Sequence, residues 1–111
     1  MNWTPALNEY ESYLKLEKGL SPLSVSAYRR DVQQLADFYP DRSPLKIAIQ
    51  DLRDFVNEYA KSGRSPRSQA RLISSIRSFY GYLTLENLID ANPAELLELP
   101  KVSPKLPDTL S

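Results

Sequence analysis

Two stretches of this chain carry arginine and lysine without any acidic side chain. Residues 60–85 contain five such cations, and residues 18–30 contain three. The cations are Lys18, Arg29, Arg30, Lys61, Arg64, Arg67, Arg71 and Arg77. Arginine donates hydrogen bonds to phosphate oxygens, and both arginine and glutamine can make bidentate contacts to base edges in the major groove of DNA. The two stretches therefore indicate a nucleic acid as a candidate ligand.

Helical periodicity, at about 100° per residue, gathers these side chains on one face of each of two helices. The later polar face lies opposite an apolar stripe and consists of Arg64, Arg67, Arg71, Ser74, Ser75 and Ser78. The earlier polar face consists of Ser26, Arg29, Arg30 and Gln33. A helix face that is only solvated usually mixes acids with lysines, because opposite charges one turn apart stabilise a helix. The composition of these two faces therefore favours an anionic partner.

The missing residue types exclude several kinds of chemistry. The 111 residues include no His and no Cys, so the chain holds no Ser-His-Asp triad, no thiol nucleophile and no imidazole or thiolate metal site. No cofactor is expected. The 14 Lys plus Arg equal the 14 Asp plus Glu, but the acids concentrate outside the two basic stretches. The net charge of zero is therefore a sum over segregated regions, and it does not argue against a nucleic-acid partner.

Four helices are expected to position the two basic faces in one all-α domain. Their predicted ranges are Pro5 to about Lys18 with Thr4 as N-cap, Ser21-Pro22 to about Tyr39, about Asp51 to Lys61, and Ser65-Pro66 to about Glu86. A short fifth helix is expected after Asn92-Pro93, carrying Leu96, Leu97 and Leu99. Residues 100–111, which are rich in proline, are expected to form an extended linker. No run of about 18 apolar residues is present, so a cytoplasmic location is expected.

A short motif occurs twice, each time between a shorter and a longer predicted helix. Residues 19–24 and residues 63–68 share the pattern Gly-x-Ser-Pro-x-Ser. Glycine commonly ends a helix, whereas serine followed by proline commonly begins one. The repeat indicates two helical hairpins in which the second and fourth helices have equivalent roles, although it is also explained by helix-stop and helix-start chemistry alone.

Three segments resemble a known family, in the right order and at fitting spacing. Residues 19–38 are similar to the first box of the N-terminal core-binding domain of tyrosine recombinases, and residues 65–83 are similar to the second. Asn92-Pro93-Ala94, followed by Leu99-Pro100-Lys101 and Leu106-Pro107, resembles the segment that leads into the catalytic domain of Xer-type recombinases and phage integrases. The resemblance implies a four-helix, SAM-like integrase fold, with residues 1–99 as the domain and residues 100–111 as a linker to an absent catalytic domain.

The resemblance also implies a role in DNA recombination, integration or chromosome partition. In that family, the equivalents of the second and fourth helices cross the major groove while the domain clamps one side of the duplex. The implied principal DNA contacts are Arg29, Arg30, Arg67 and Arg71. The remaining implied contacts are Ser26, Gln33, Ser74 and Ser78, together with Arg64 and Lys101. The first and fifth helices would then contact other recombinase subunits in a tetramer on DNA, while the isolated domain is expected to be a monomer.

The family's catalytic arginines, histidine and tyrosine belong to its second domain, so this chain is expected to be inactive by itself. Its own Tyr10, Tyr28 and Tyr59 lie on apolar stripes, which makes them poor nucleophiles. A different interpretation remains open, in which a helical interaction module uses its arginine faces to bind an acidic protein. A stand-alone enzyme would need an acid–base constellation that the sequence does not offer. The sequence does not separate a chromosome-dimer resolvase from a mobile-element integrase.

Overall fold

The computed structural model describes residues 2–98, which fold into four α-helices joined by short connections. The helices are α1 (Trp3–Leu16), α2 (Pro22–Phe38), α3 (Ile49–Lys61) and α4 (Pro66–Leu85), with a 3₁₀ turn at Pro44–Lys46 between α2 and α3. Residues 2–98 contain no β-strand. The predicted all-α class and the bounds of α2 and α4 are confirmed.

The two Gly-x-Ser-Pro-x-Ser connections adopt the same local structure. Gly19 and Gly63 have φ angles of 61° and 87°, in the left-handed region that favours glycine. In each motif the first serine caps the following helix: Ser21 Oγ accepts from the Ser24 amide at 3.3 Å, and Ser65 Oγ accepts from the Ser68 amide at 3.1 Å. Local chemistry therefore fixes where α2 and α4 begin.

The core is built around Phe79 of α4, whose side chain is fully buried. Its ring stacks with Trp3 at 6.1 Å between centroids and meets Tyr10 and Tyr80 edge-on at 5.2 and 5.1 Å. Offset and edge-on pairs are the favoured aromatic geometries. Because Trp3 and Tyr10 belong to α1, these contacts pack the first helix against the last.

Hydrogen bonds from aromatic side chains that are buried or half-buried hold the connection between α2 and α3. Trp3 Nε1 donates to the Tyr39 carbonyl oxygen at 2.9 Å, and the Tyr39 hydroxyl donates to the Asp51 carbonyl oxygen at 2.8 Å. The Tyr80 hydroxyl donates to the Pro44 carbonyl oxygen at 2.9 Å. Burial raises the pKa of Tyr80 above its ordinary value. The rings of Tyr39 and Tyr80 thus pack in or against the core while their hydroxyl groups donate to backbone carbonyl oxygens.

The predicted start of the first helix was wrong by two residues. The helix begins at Trp3 with Asn2 as N-cap, so Thr4 lies inside the first turn instead of capping it. Pro5 is tolerated there because the first amides of a helix have no partner within the helix. Tertiary packing explains the shift, since Trp3 must continue the helix to reach Phe79.

The predicted short fifth helix is not formed within residues 2–98. Residues 93–96 make turns instead: the Ala94 amide donates to Asn92 Oδ1, and the amides of Glu95 and Leu97 donate to the carbonyl oxygens of Asn92 and Ala94. So short a segment is a poor helix by itself, and the Asn92 side chain offers its backbone another partner. Leu97 is buried while Leu96 is exposed. Leu99 and the predicted linker over 100–111 lie outside the described residues.

Arg77 holds this turn segment against α4. Its guanidinium donates to the carbonyl oxygens of Ala94, at 3.3 Å, and of Leu97, while Asn92 Nδ2 donates to the Arg77 carbonyl oxygen at 3.3 Å. Arg77 therefore uses its charge within the domain, unlike Arg67 of the same basic stretch, which forms no ion pair within residues 2–98.

We expect Arg77→Met to loosen the turn segment without unfolding the helices. Hydrogen bonds from a charged donor are worth about 1.5–3 kcal/mol, so hydrogen exchange at the Leu97 amide should accelerate by about tenfold or more. Hydrogen–deuterium exchange read by NMR or mass spectrometry measures this rate. Arg53→Met on α3 is the matched control, because Arg53 is exposed and has no ion pair within residues 2–98. Equal exchange rates in the wild type and Arg77→Met would contradict this role of Arg77.

Candidate nucleic-acid interface

Arg30 and Arg67 are the two predicted contacts whose charge is most available. Both side chains are exposed, Arg30 on α2 and Arg67 on α4. Neither forms an ion pair with any acidic side chain in residues 2–98. Because no neighbouring carboxylate cancels their charge, these two arginines are free to bind an external anion.

Arg71 lies one helical turn after Arg67 but is engaged within the protein. Its Nε and Nη2 atoms donate to the two carboxylate oxygens of Asp31 at 3.0 and 3.1 Å. The hydrogen bond and charge of Asp31 raise the pKa of Arg71 above its ordinary value. This ion pair joins α2 to α4, so it fixes how the two predicted DNA-contacting helices sit against each other.

Arg29 is also engaged, but on the opposite edge of α2. Its guanidinium contacts Asn8 Oδ1 at 3.0 Å and the carboxylate of Glu11, both on α1. Hydrogen bonds from Lys15 and Arg29 lower the pKa of Glu11. Arg29 therefore points toward α1, whereas Asp31 and Arg71 mark the edge of α2 that meets α4. The predicted contacts do not form a single free surface.

Arg64 stands just before α4, over the ring of Tyr59 on α3. The distance from its guanidinium carbon to the ring centroid is 5.0 Å, which is within the range of a cation–π contact. The Arg64 side chain remains exposed, so the stacked guanidinium can still offer its N–H groups to an anion. This contact fixes the position of a third cation beside the start of α4.

The predicted polar contacts divide in the same way. Ser26 and Ser74 are exposed, whereas Ser78 is half-buried. Gln33 donates to Asp37 Oδ1 at 3.1 Å along its own helix. Lys101 lies outside the described residues. Ser26 and Ser74 are thus the polar members of the predicted set that the fold leaves most open.

Ser75 was wrongly placed on the polar face of the fourth helix. It is fully buried, and its hydroxyl donates to Asp31 Oδ2 at 2.7 Å. Sequence reasoning also missed Asp31 itself, which is fully buried. A signal was present: Asp31 follows Tyr28 by three residues and precedes Leu35 by four, which places it on the apolar side of α2.

The tyrosines have structural positions. Tyr10 and Tyr59 are buried, and Tyr28 packs against the core. Burial raises the pKa of Tyr10 above its ordinary value, so its hydroxyl is harder to deprotonate than that of an exposed tyrosine. Within residues 2–98, no helix combines the length and apolar character needed to cross a membrane.

Comparison with known proteins gives a consistent family assignment. Residues 7–87 match the family described as phage integrase, N-terminal SAM-like domain. The chain is 36% identical over 107 residues to the tyrosine recombinase XerD of Staphylococcus epidermidis, and 38% identical over 107 residues to the tyrosine recombinase XerC of Pseudomonas fluorescens. It is 35% identical over 108 residues to the tyrosine recombinase XerC of Anoxybacillus flavithermus. Each alignment covers 94% of this chain but only 36% of the relative's length.

Proposed function

Because the chain belongs to the family of phage integrase N-terminal SAM-like domains, we propose that it binds duplex DNA for a Xer-type tyrosine recombinase. The relatives that it matches are tyrosine recombinases, and the chain spans 36% of their length. The reaction of the whole protein, breakage and rejoining of DNA strands through a phosphotyrosyl intermediate, is part of this proposal. The same holds for assembly with other recombinase subunits and for action on DNA in the cytoplasm.

The observation that carries the proposal is the pair of exposed, unneutralised arginines on α2 and α4. Arg30 and Arg67 are borne by two helices that the Asp31–Arg71 ion pair holds together. Arginine binds phosphate through its N–H donors, and a rigid scaffold keeps the helices that carry such side chains in place before the DNA arrives. Two unneutralised cations on helices that are held together therefore suit the regular phosphates of a duplex.

Major-groove entry is the finer part of the proposal. A helix fits the major groove, where arginine can read guanine, and serine can hydrogen-bond to either bases or phosphates. Ser26 on α2 and Ser74 on α4 are exposed and short, so they allow a helix backbone to approach the DNA closely. In this arrangement the domain holds the duplex by binding and orientation, and it supplies no reacting group itself.

We expect the chain to bind duplex DNA with a strong dependence on salt. If about 4–6 phosphates are contacted, log K should fall against log salt concentration with a slope of roughly −4 to −5. A fluorescence anisotropy titration of a labelled duplex at several salt concentrations measures both the affinity and the slope. An absence of binding at low salt, or an affinity indifferent to salt, would contradict the proposal.

A further inference from the structure

A carboxylate is buried at the contact between α2 and α4. Asp31 is fully buried and accepts three hydrogen bonds from α4: from Arg71 Nε at 3.0 Å, from Arg71 Nη2 at 3.1 Å and from Ser75 Oγ at 2.7 Å. The Asp31 carboxylate is thus held by two residues, Arg71 and Ser75, while the Arg71 side chain remains 41% exposed. One member of the ion pair is fixed in the core and the other reaches the surface.

Stability alone is a weak explanation for this arrangement. Moving a carboxylate out of water is costly, and buried ion pairs can often be replaced by apolar side chains without loss of stability. Asp31 lies beside two apolar side chains of α2, Val32 and Leu35, and both are fully buried. An apolar side chain at position 31 could not fix the orientation of the Arg71 guanidinium, because it offers no hydrogen-bond acceptor.

The orientation of Arg71 leaves one edge of its guanidinium available. Asp31 occupies the edge formed by Nε and Nη2, which uses two of the five N–H groups. The other three N–H groups have no acceptor among residues 2–98. Two of the three, one on Nη1 and one on Nη2, are parallel donors, which is the geometry that binds a phosphate through two hydrogen bonds.

We propose that Asp31 is a positioning residue that orients Arg71 so that its Nη1–Nη2 edge binds a DNA phosphate. The inference rests on the proposed function and adds a specific contact to it. Arg67, one turn earlier on α4, differs because no carboxylate orients it within residues 2–98. Arg67 therefore contributes mainly charge, whereas Arg71, whose charge Asp31 largely cancels, contributes mainly geometry.

The sign of the effect of Asp31→Asn tests this role. If Asp31 only reduces the positive charge near the DNA, its replacement by a neutral side chain should raise DNA affinity. If Asp31 positions Arg71, affinity should fall by about tenfold and the salt slope should lose about one unit, because an asparagine amide presents N–H groups where Arg71 also donates. Asp37→Asn is the matched control: Asp37 is an exposed acid on α2 that accepts from Gln33 and from no arginine in residues 2–98.

A second pair of variants keeps the charge and changes only the shape of the cation. Arg71→Lys retains a cation that can pair with Asp31, but it loses the second pair of parallel donors. We expect it to weaken DNA binding by about tenfold, whereas Arg67→Lys should stay within about twofold of the wild type. Circular dichroism and thermal denaturation of each variant confirm that the folded chain is being titrated.

The outcomes separate this inference from the proposed function. Wild-type DNA binding combined with unchanged or raised affinity in Asp31→Asn would overturn the positioning role alone. Equal losses of DNA affinity in Arg71→Lys and Arg67→Lys would overturn the positioning role as well. This second comparison tests the role even if Asp31→Asn fails to fold. A wild-type chain that binds no DNA would overturn the proposed function together with the inference.

Discussion

Replacing Arg30 and Arg67 together by glutamate is expected to weaken binding to duplex DNA by about a hundredfold or more. Each substitution removes a hydrogen-bonding cation, worth about 1.5–3 kcal/mol, and places a negative charge where a phosphate would lie. The salt slope should also become shallower by about two units, because two phosphate contacts are lost. Anisotropy titrations of a labelled duplex, repeated across a salt series, measure both quantities.

A variant with the same change in net charge shows whether position matters. Lys46 and Arg53 are exposed, lie outside α2 and α4, and have no ion pair within residues 2–98. Replacing both by glutamate should weaken binding much less, since screening limits the reach of surface charges to about 10 Å at 0.1 M salt. Equal losses in the two double variants would contradict a localised interface on α2 and α4.

The same experiment decides between DNA and an acidic protein as the partner. If the double variant Arg30→Glu with Arg67→Glu keeps its helical fold and its full DNA affinity, the two arginines do not contact DNA. That result would favour the interpretation of the chain as a protein-interaction module. Helix content by circular dichroism is the necessary companion measurement, because an unfolded variant would lose DNA binding for another reason.

Replacing Phe79 by alanine is expected to lower the free energy of unfolding by about 3–5 kcal/mol. The ring is fully buried and contacts Trp3, Tyr10 and Tyr80, so its removal leaves a cavity bounded by other aromatic rings. Domains of this size are typically stable by only 5–15 kcal/mol, and a loss of this size should visibly shift the unfolding midpoint. Urea denaturation followed by circular dichroism measures the change.

Phe38 provides the control for that substitution. Its side chain is 42% exposed at the end of α2, although it contacts Tyr39 and Phe55. Because less apolar surface is lost from the core, Phe38→Ala should cost only about 1 kcal/mol. Similar losses of unfolding free energy in Phe79→Ala and Phe38→Ala would contradict the conclusion that the core is built around Phe79.

The sequence determined the helical class and the bounds of α2 and α4, because those depend on neighbouring residues. Serine caps, proline in the first turn and glycine at positive φ act over a few positions, so a motif such as residues 63–68 specifies its own structure. The segregation of cations from acids was also visible, since it needs only helical periodicity. The family resemblance depended on three local segments of the sequence, and the match over residues 7–87 confirms it.

Tertiary structure alone decided which arginines are free. Arg71 meets Asp31 across 40 positions of sequence and Arg29 meets Glu11 across 18, and no local pattern specifies such partners. Periodicity assigns a side chain to a face of its own helix, but the neighbouring helix decides whether that face is solvated, as Ser75 shows. Packing of α2 against α1 and α4 therefore separates Arg30 and Arg67, which face solvent, from Arg29 and Arg71, which also hold the helices together.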